Sequence, residues 1–277
     1  MQEAAIIAVI LIVINGIVSY LGIKNSSFLD KYAFHVDRIL ISKQYFRLIT
    51  SGFLHGGWVH LGMNMWALYI FTERLVPIIG VVPFFVIYFG SLIGGNLLAL
   101  FIHRNHGDYR AVGASGAVSG LVFAFIALLP DQPLGIMFIP VAIPGWIFGV
   151  IYILYTIYGI KSDKDNIGRE AHLGGGVIGM IIMIVFQPYL LKSNYLPIGL
   201  MLIPTFIFLI LIVKRPELLF LNLSFKKSKP IDSIDHQFNA NKVSKENELN
   251  QLLDKISDQG IDQLTEREKT RLEELSR

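Results

Sequence analysis

The chain has 277 residues, 53% hydrophobic and only 16% charged, with a mean hydropathy of +0.55 and a net charge of +3. That balance excludes an ordinary soluble domain, no basic face recommends nucleic acid as a partner, and the lack of cysteine excludes disulfides, thiol nucleophiles and thiolate metal sites. Of the 45 charged side chains, residues 222–277 hold ten basic and eleven acidic, so a membrane body precedes a polar tail.

A helix crossing about 30 Å of hydrocarbon at 1.5 Å per residue needs about 20 apolar residues. Seven runs qualify: 4–23, 58–72 with its flanks, 81–102, 112–129, 141–160, 171–190 and 196–213. The first, in MQEAAIIAVILIVING, has no basic n-region and no small-residue cleavage site, and reads as a retained helix rather than a signal peptide. Residues 24–50 set Phe28, Leu29, Tyr32, Phe34 and Phe46 among charges, the pattern of a segment that lies in the membrane interface or folds back on the helices. After the seventh run, a polar linker reaches about 244. ENELNQLLDKISDQG then spaces Leu249, Leu252, Leu253 and Ile256 on one helical stripe ending at Gly260. Thr265 and Glu268 match a capping box at the start of a second short helix. A hairpin this small buries little surface, so it is expected to dock on a protein partner or on itself, the alternative being a solvated charged tail.

Polar groups in hydrocarbon are costly unless paired, and they mark candidate sites. Three clusters stand out: HGGWVHLGMN (His55, His60, Asn64), GASGAVSG (Gly113, Ser115, Gly116, Ser119) and EAHLGGGVIG (His172, Gly175, Gly179). Each opens an even-numbered run. Alternating spans place the starts of even runs on one membrane face, so the three clusters are expected at similar depth on the same side.

The small residues could simply let helices approach closely, and for Gly175 and Gly179 packing of the sixth span on the fourth is the expectation. Packing alone leaves His172 unexplained. It stands three residues before Gly175 on the same helical face, which aims it at Ser115 if the fourth span is the neighbour. A serine hydroxyl needs a base to take its proton as it attacks, and histidine is the usual one. The oxyanion that forms needs preorganised donors. His60 and Asn64, four apart on one helix face, can donate side-chain N–H groups, as can the Ser115 amide at a helix start. His55, just outside that face, is a hydrogen-bond support. Glu170, two residues from His172, faces elsewhere, so a dyad is expected rather than a triad.

These motifs, in this order on the second, fourth and sixth spans, resemble the rhomboid intramembrane serine proteases over roughly residues 1–190. The resemblance implies Ser115 as nucleophile, His172 as base, and His60, Asn64 and the Ser115 amide as oxyanion hole. Gly113, Gly116, Gly175 and Gly179 are supporting residues. His55 fits the first histidine of the family's H-x4-H-x3-N pattern, and YFRLITSGFLH resembles the stretch carrying a Trp–Arg pair, here Phe46 and Arg47. One position departs: where the family commonly has an aromatic residue stacking on the histidine, four after the nucleophile, this chain has Ser119. Either His172 lacks that support, or another bulky side chain, such as Phe123 or one on the sixth helix, fills the space.

The expected fold is an all-α membrane protein. It comprises a rhomboid core of six helices (1–190), an additional transmembrane helix (191–221), a polar linker (222–244) and a soluble helical hairpin (245–277). The expected activity is endopeptidase cleavage of transmembrane protein substrates within the bilayer of the cell inner membrane, with no cofactor, no metal and no nucleic acid. Single-span substrates weakened by Gly or Pro near a small residue suit such a site. The resemblance implies a site open to the extracytoplasmic side. The loops on that side, 24–50, 103–110 and 161–170, carry ten Lys and Arg against Arg74 and Lys192 opposite, so the positive-inside rule taken alone prefers the reverse. With seven spans the tail shares the site's side; if one span, the seventh first among them, does not cross, the tail is cytoplasmic. Two rivals stand: a catalytically inactive relative that binds membrane helices, and a transporter using His55, His60 and His172. The intact Ser115 and His172 tell against the first, and the absence of acidic ligands in the spans and of an internal repeat tells against the second.

Overall fold

The computed structural model describes residues 2–135, 141–162 and 168–214, together with residues 255, 256, 265, 268, 269, 271 and 272 of the tail. The chain divides into two compact units, Met1–Asn222 and Leu223–Arg277.

The first unit is an all-α membrane body. In chain order it runs α1 (Gln2–Lys24), α2 (Ser26–Tyr32), β1 (Phe34–His35), α3 (Val36–Leu40), α4 (Arg47–Thr50), a 3-10 turn (Ser51–Phe53), α5 (Trp58–Ile79), α6 (Val81–Ile102), β2 (Arg110–Ala111), α7 (Ser115–Leu128), β3 (Pro133–Gly135), β4 (Ala142–Pro144), α8 (Gly145–Ser162), α9 (Arg169–Phe186), α10 (Leu190–Ser193) and α11 (Tyr195–Lys214). Among the described residues, four helices are long and apolar enough to cross a membrane, namely α1, α6, α9 and the Tyr195–Ile212 stretch of α11, while α7 and α8 are shorter apolar helices. The second run becomes α5, 22 residues long but carrying His60, Asn64, Glu73 and Arg74. The fifth run starts later than its hydropathy suggests. Residues 142–144 pair with 133–135 as an antiparallel hairpin, and the helix begins at Gly145. The sixth ends at Phe186, with a separate short helix before α11.

The helices sort by size rather than hydropathy. On α1 the buried residues are Ala4, Ala8, Leu11, Asn15, Ser19 and Gly22, a stripe at three- and four-residue spacing, whereas Ile6, Val9, Ile10, Val13, Ile14 and Ile17 are exposed. This is the ordering expected in lipid, where large aliphatic side chains gain nothing by leaving the surface and small ones allow backbones to meet. The helix α7 sits at the centre, with Gly116–Leu121 and Phe123–Leu128 buried.

Residues 24–50 fold back on the helices. Arg47 is buried, donates from Nη1 to the carbonyls of Asp30 (2.8 Å) and Ala33 (2.6 Å), and lies over the Phe46 ring at 5.7 Å. The strand β1 pairs with β2, Phe34 opposite Ala111 and His35 opposite Arg110, which ties this segment to the loop entering α7. Burial first, and Arg110 next, hold His35 below the usual histidine range.

In the second unit the capping box is made. Glu268 Oε2 accepts from the Thr265 backbone N–H (2.8 Å), and the Glu268 N–H donates to Thr265 Oγ1 (3.3 Å). The Lys255 ammonium, 2.7 Å from the carboxylate, is the largest influence holding Glu268 down at about 2. Ile256 is helical, whereas the stripe residues Leu249, Leu252 and Leu253, Gly260 and the linker 222–244 lie outside the described residues.

Candidate active site

The starts of α5, α7 and α9 meet, so the three polar clusters come together. Ser115 is the first residue of α7 and His172 lies in the first turn of α9; His172 Nε2 is 2.6 Å from Ser115 Oγ. Both are half-buried, and so is His60. Glycines bring the helices this close. A β-carbon on Gly175 would meet the Gly116 backbone, one on Gly179 the Gly120 backbone, and one on Gly116 would lie 3.2 Å from the Ala171 carbonyl oxygen. The three glycines 174–176 seat α9 against both α6 and α7, with Gly174 facing Leu98 and Gly176 facing Phe123. Gly179 stands two turns beyond His172, where its contribution is packing.

Gly113 has φ +136°, a backbone conformation that a side chain disfavours. A β-carbon there would also lie 2.9 Å from both Cε1 and Nε2 of the His60 ring and 3.4 Å from Ser115 Oγ. The small hollow left by glycine is therefore bordered by the hydroxyl on one side and an imidazole on the other. Asn64 is buried one turn below His60, and its Nδ2 donates to the His60 carbonyl at 3.0 Å. An amide nitrogen carries two protons, so one remains for another acceptor.

Two tethers hold the residues leading into α7. The Gly113 N–H donates to the Ser51 carbonyl (3.0 Å), while Asn96 on α6 donates to Ser51 Oγ (3.2 Å) and to the Leu48 carbonyl (2.8 Å). The Ala114 N–H donates to His55 Nε2 (3.4 Å), and the His55 ring meets the His60 ring edge-on at 4.9 Å. Sequence reasoning passed over Ser51 and Asn96. A lone asparagine in the third apolar run was the available signal.

The space beside Ser119 is filled. Its hydroxyl lies 2.8 Å from the Tyr152 hydroxyl of α8, whose ring stacks on Phe148 and meets Phe123 edge-on. Of the two alternatives the sequence left, the occupied pocket holds, and the filler comes from the fifth run. Ser119→Phe is accordingly expected to lower both the melting temperature and turnover, since overpacking a filled core costs about 1–3 kcal/mol. A variant with both quantities unchanged or raised would contradict this.

Glu170 is engaged away from Ser115 and His172, with Oε1 3.3 Å from His103 Nε2 and Oε2 accepting from the Tyr109 hydroxyl at 3.5 Å. His103 in turn stacks on Tyr109, ring centroids 3.6 Å apart. Among the described residues no group of three or more His, Asp or Glu side chains is placed to hold a metal ion.

A family model described as a rhomboid domain matches residues 42–189, and a second, described as a family of unknown function (DUF6576), matches residues 232–277. The chain is 31% identical over 161 residues to rhomboid protein 1, mitochondrial, of Saccharomyces cerevisiae, covering 56% of this chain and 45% of that protein. Over 172 residues it is 31% identical to RHOMBOID-like protein 6, mitochondrial, of Arabidopsis thaliana (61% and 53%), and over 141 residues 31% identical to the rhomboid-family protein YdcA of Bacillus subtilis (50% and 66%). The chain spans about half the length of the curated relatives it matches. More than half of the chain lies within the first model, all three polar clusters among it, and the chain belongs to the rhomboid family.

Proposed function

We propose that this multi-pass membrane protein is an intramembrane serine endopeptidase of the cell inner membrane, working with a Ser115–His172 dyad. The observation that carries the reading is the 2.6 Å approach of His172 Nε2 to Ser115 Oγ. Neutral imidazole with its proton on Nδ1 presents Nε2 as an acceptor. Ser115 Oγ attacks the peptide carbonyl carbon as its proton passes to Nε2, and the carbonyl oxygen becomes the oxyanion. That charge is met by His60, Asn64 and the Ser115 N–H; the hollow at Gly113, between His60 and Ser115 Oγ, supports this assignment. His172 then returns the proton to the leaving amine nitrogen, and water taken up by the same base releases the acyl group.

The core comprises residues 1–190, followed by the additional helix within 191–221, the linker and the hairpin tail. Substrates are single-span membrane proteins whose helix is weakened by Gly or Pro beside a small residue, because a helical peptide bond must unwind to reach the nucleophile.

The test is labelling by a fluorophosphonate in detergent, comparing the native chain with Ser115→Ala. Labelling of the native chain alone is expected. Labelling that survives the substitution removes the nucleophile, and a native chain that neither labels nor cleaves such a substrate leaves only helix binding. Asn64→Ala is expected to lower turnover roughly 10- to 1000-fold in a folded protein, as for loss of one oxyanion donor. Full activity in that variant, measured on the same substrate, would remove Asn64 from the hole.

A further inference from the structure

The helix α1 lies outside the residues matched by the rhomboid model, yet one of its side chains reaches the segment that presents the nucleophile. Ser19 is fully buried on the stripe of small residues, and its Oγ lies 2.9 Å from His55 Nδ1 and 3.1 Å from the Phe53 carbonyl oxygen. His55 is also fully buried, and its other ring nitrogen faces the Ala114 N–H, one residue before Ser115.

Only one arrangement of protons satisfies this chain. A backbone N–H can only donate, so His55 Nε2 must be the acceptor and carry no proton. A neutral imidazole then holds its single proton on Nδ1. That proton goes to Ser19 Oγ, and the serine's own proton goes to the Phe53 carbonyl. If Ser19 instead donated to Nδ1, the proton would sit on Nε2 and oppose the Ala114 N–H, leaving two buried donors face to face. Such a conflict is unfavourable where water cannot relieve it.

We propose that Ser19 is a positioning residue for catalysis: by holding the proton of His55 on Nδ1, it keeps Nε2 as the acceptor that fixes the Ala114 peptide and, through it, the direction of the Ser115 hydroxyl and amide. The proposal rests on Ser115 being the nucleophile. Together with the Asn96–Ser51 tether on Gly113, it anchors both peptide units preceding α7. Loss of the serine hydroxyl leaves the Nδ1 proton without its partner in a buried site, and the ring then samples the tautomer that releases Ala114.

The experiment uses the full chain in detergent, with Ser19→Ala and the hydroxyl-retaining Ser19→Thr. The His55 ring tautomer is read from nitrogen-15 shifts in histidine-labelled protein, assigned by the signal lost in His55→Gln. Native protein is expected to carry the His55 proton on Nδ1. Ser19→Ala is expected to lose that preference and to lower kcat about 10- to 100-fold with KM unchanged, the pattern of a misplaced reacting group. Ser19→Thr is expected to recover most of both. A His55 proton found on Nε2 in the native chain overturns the proposal, whether or not the Ser19 variants fold. So does a folded Ser19→Ala with native kcat, or a kcat lost with the tautomer unchanged. Fluorophosphonate labelling that persists in Ser115→Ala would instead remove the nucleophile while leaving the tautomer result intact, so the two failures are distinct.

Discussion

His172→Ala is expected to lower peptide cleavage by at least about a thousandfold, because removing the base from a nucleophile–base unit forfeits nearly all that the unit supplies. The fold should survive the change. His172 is half-buried and its imidazole bonds to Ser115, whereas its neighbour Glu170 carries the contacts to His103 and Tyr109 that tie α9 to the loop between α6 and α7. The measurement is kcat on a single-span substrate alongside the melting temperature. A variant that cleaves at near-native rate would exclude the dyad, and one that melts far below the native chain would mean that the imidazole is a structural strut.

Gly175→Ala carries the second large effect, and through a different route. The added methyl would meet the carbonyl oxygen, carbon and Cα of Gly116, all backbone atoms. A flexible side chain could swing aside, but two helices can only move apart. Overpacking of a close-packed core costs about 1–3 kcal/mol, and a rigid backbone opponent puts this site at the upper end. Gly116 adjoins Ser115, and Gly175 follows His172 by one turn. Any separation of α7 from α9 therefore lengthens the 2.6 Å approach directly, and a misplacement of about 1 Å can cost about a hundredfold in rate. The expected outcome is a lowered melting temperature together with a loss of turnover that substrate excess does not restore. Native values for both would show that the helices have slack.

The parts of this fold legible in the sequence are those written in local patterns. Apolar runs give the long helices, the spacing of His60 and Asn64 gives a shared face, and Thr265 with Glu268 gives a helix start. Spacing also aimed His172 at Ser115, because Gly175 marks the face that packs on α7. What stayed hidden depends on partners distant in sequence. The inner stripe of α1 is set apart by small and polar residues, Asn15 and Ser19 among them, but nothing local in it names a partner for Ser19, whose hydroxyl reaches His55, 36 residues away. Tyr152 read as one more aromatic of the fifth run until α8 brought its hydroxyl to Ser119, and Asn96 finds Ser51 45 positions earlier. The start of α8 was misjudged because residues 142–144 are apolar enough for a span yet pair as a strand.

The helix α7 has only 14 residues, about 21 Å at 1.5 Å per residue, against about 30 Å of hydrocarbon. Sheathed by its neighbours, it has no need to match the thickness of the lipid, and that adjustment falls to the helices whose aliphatic faces are exposed, α1 and α11 among them. The depth of Ser115 is thus a property of the protein, whereas the depth of a substrate helix follows the bilayer that holds it. The two rulers agree at one membrane thickness only. Under the proposed endopeptidase activity, a thinner or thicker bilayer would slide the substrate past Ser115 by about one residue per 1.5 Å, and the acyl length of the lipid is expected to select which bond is cut, a shift visible in the mass of the released fragment.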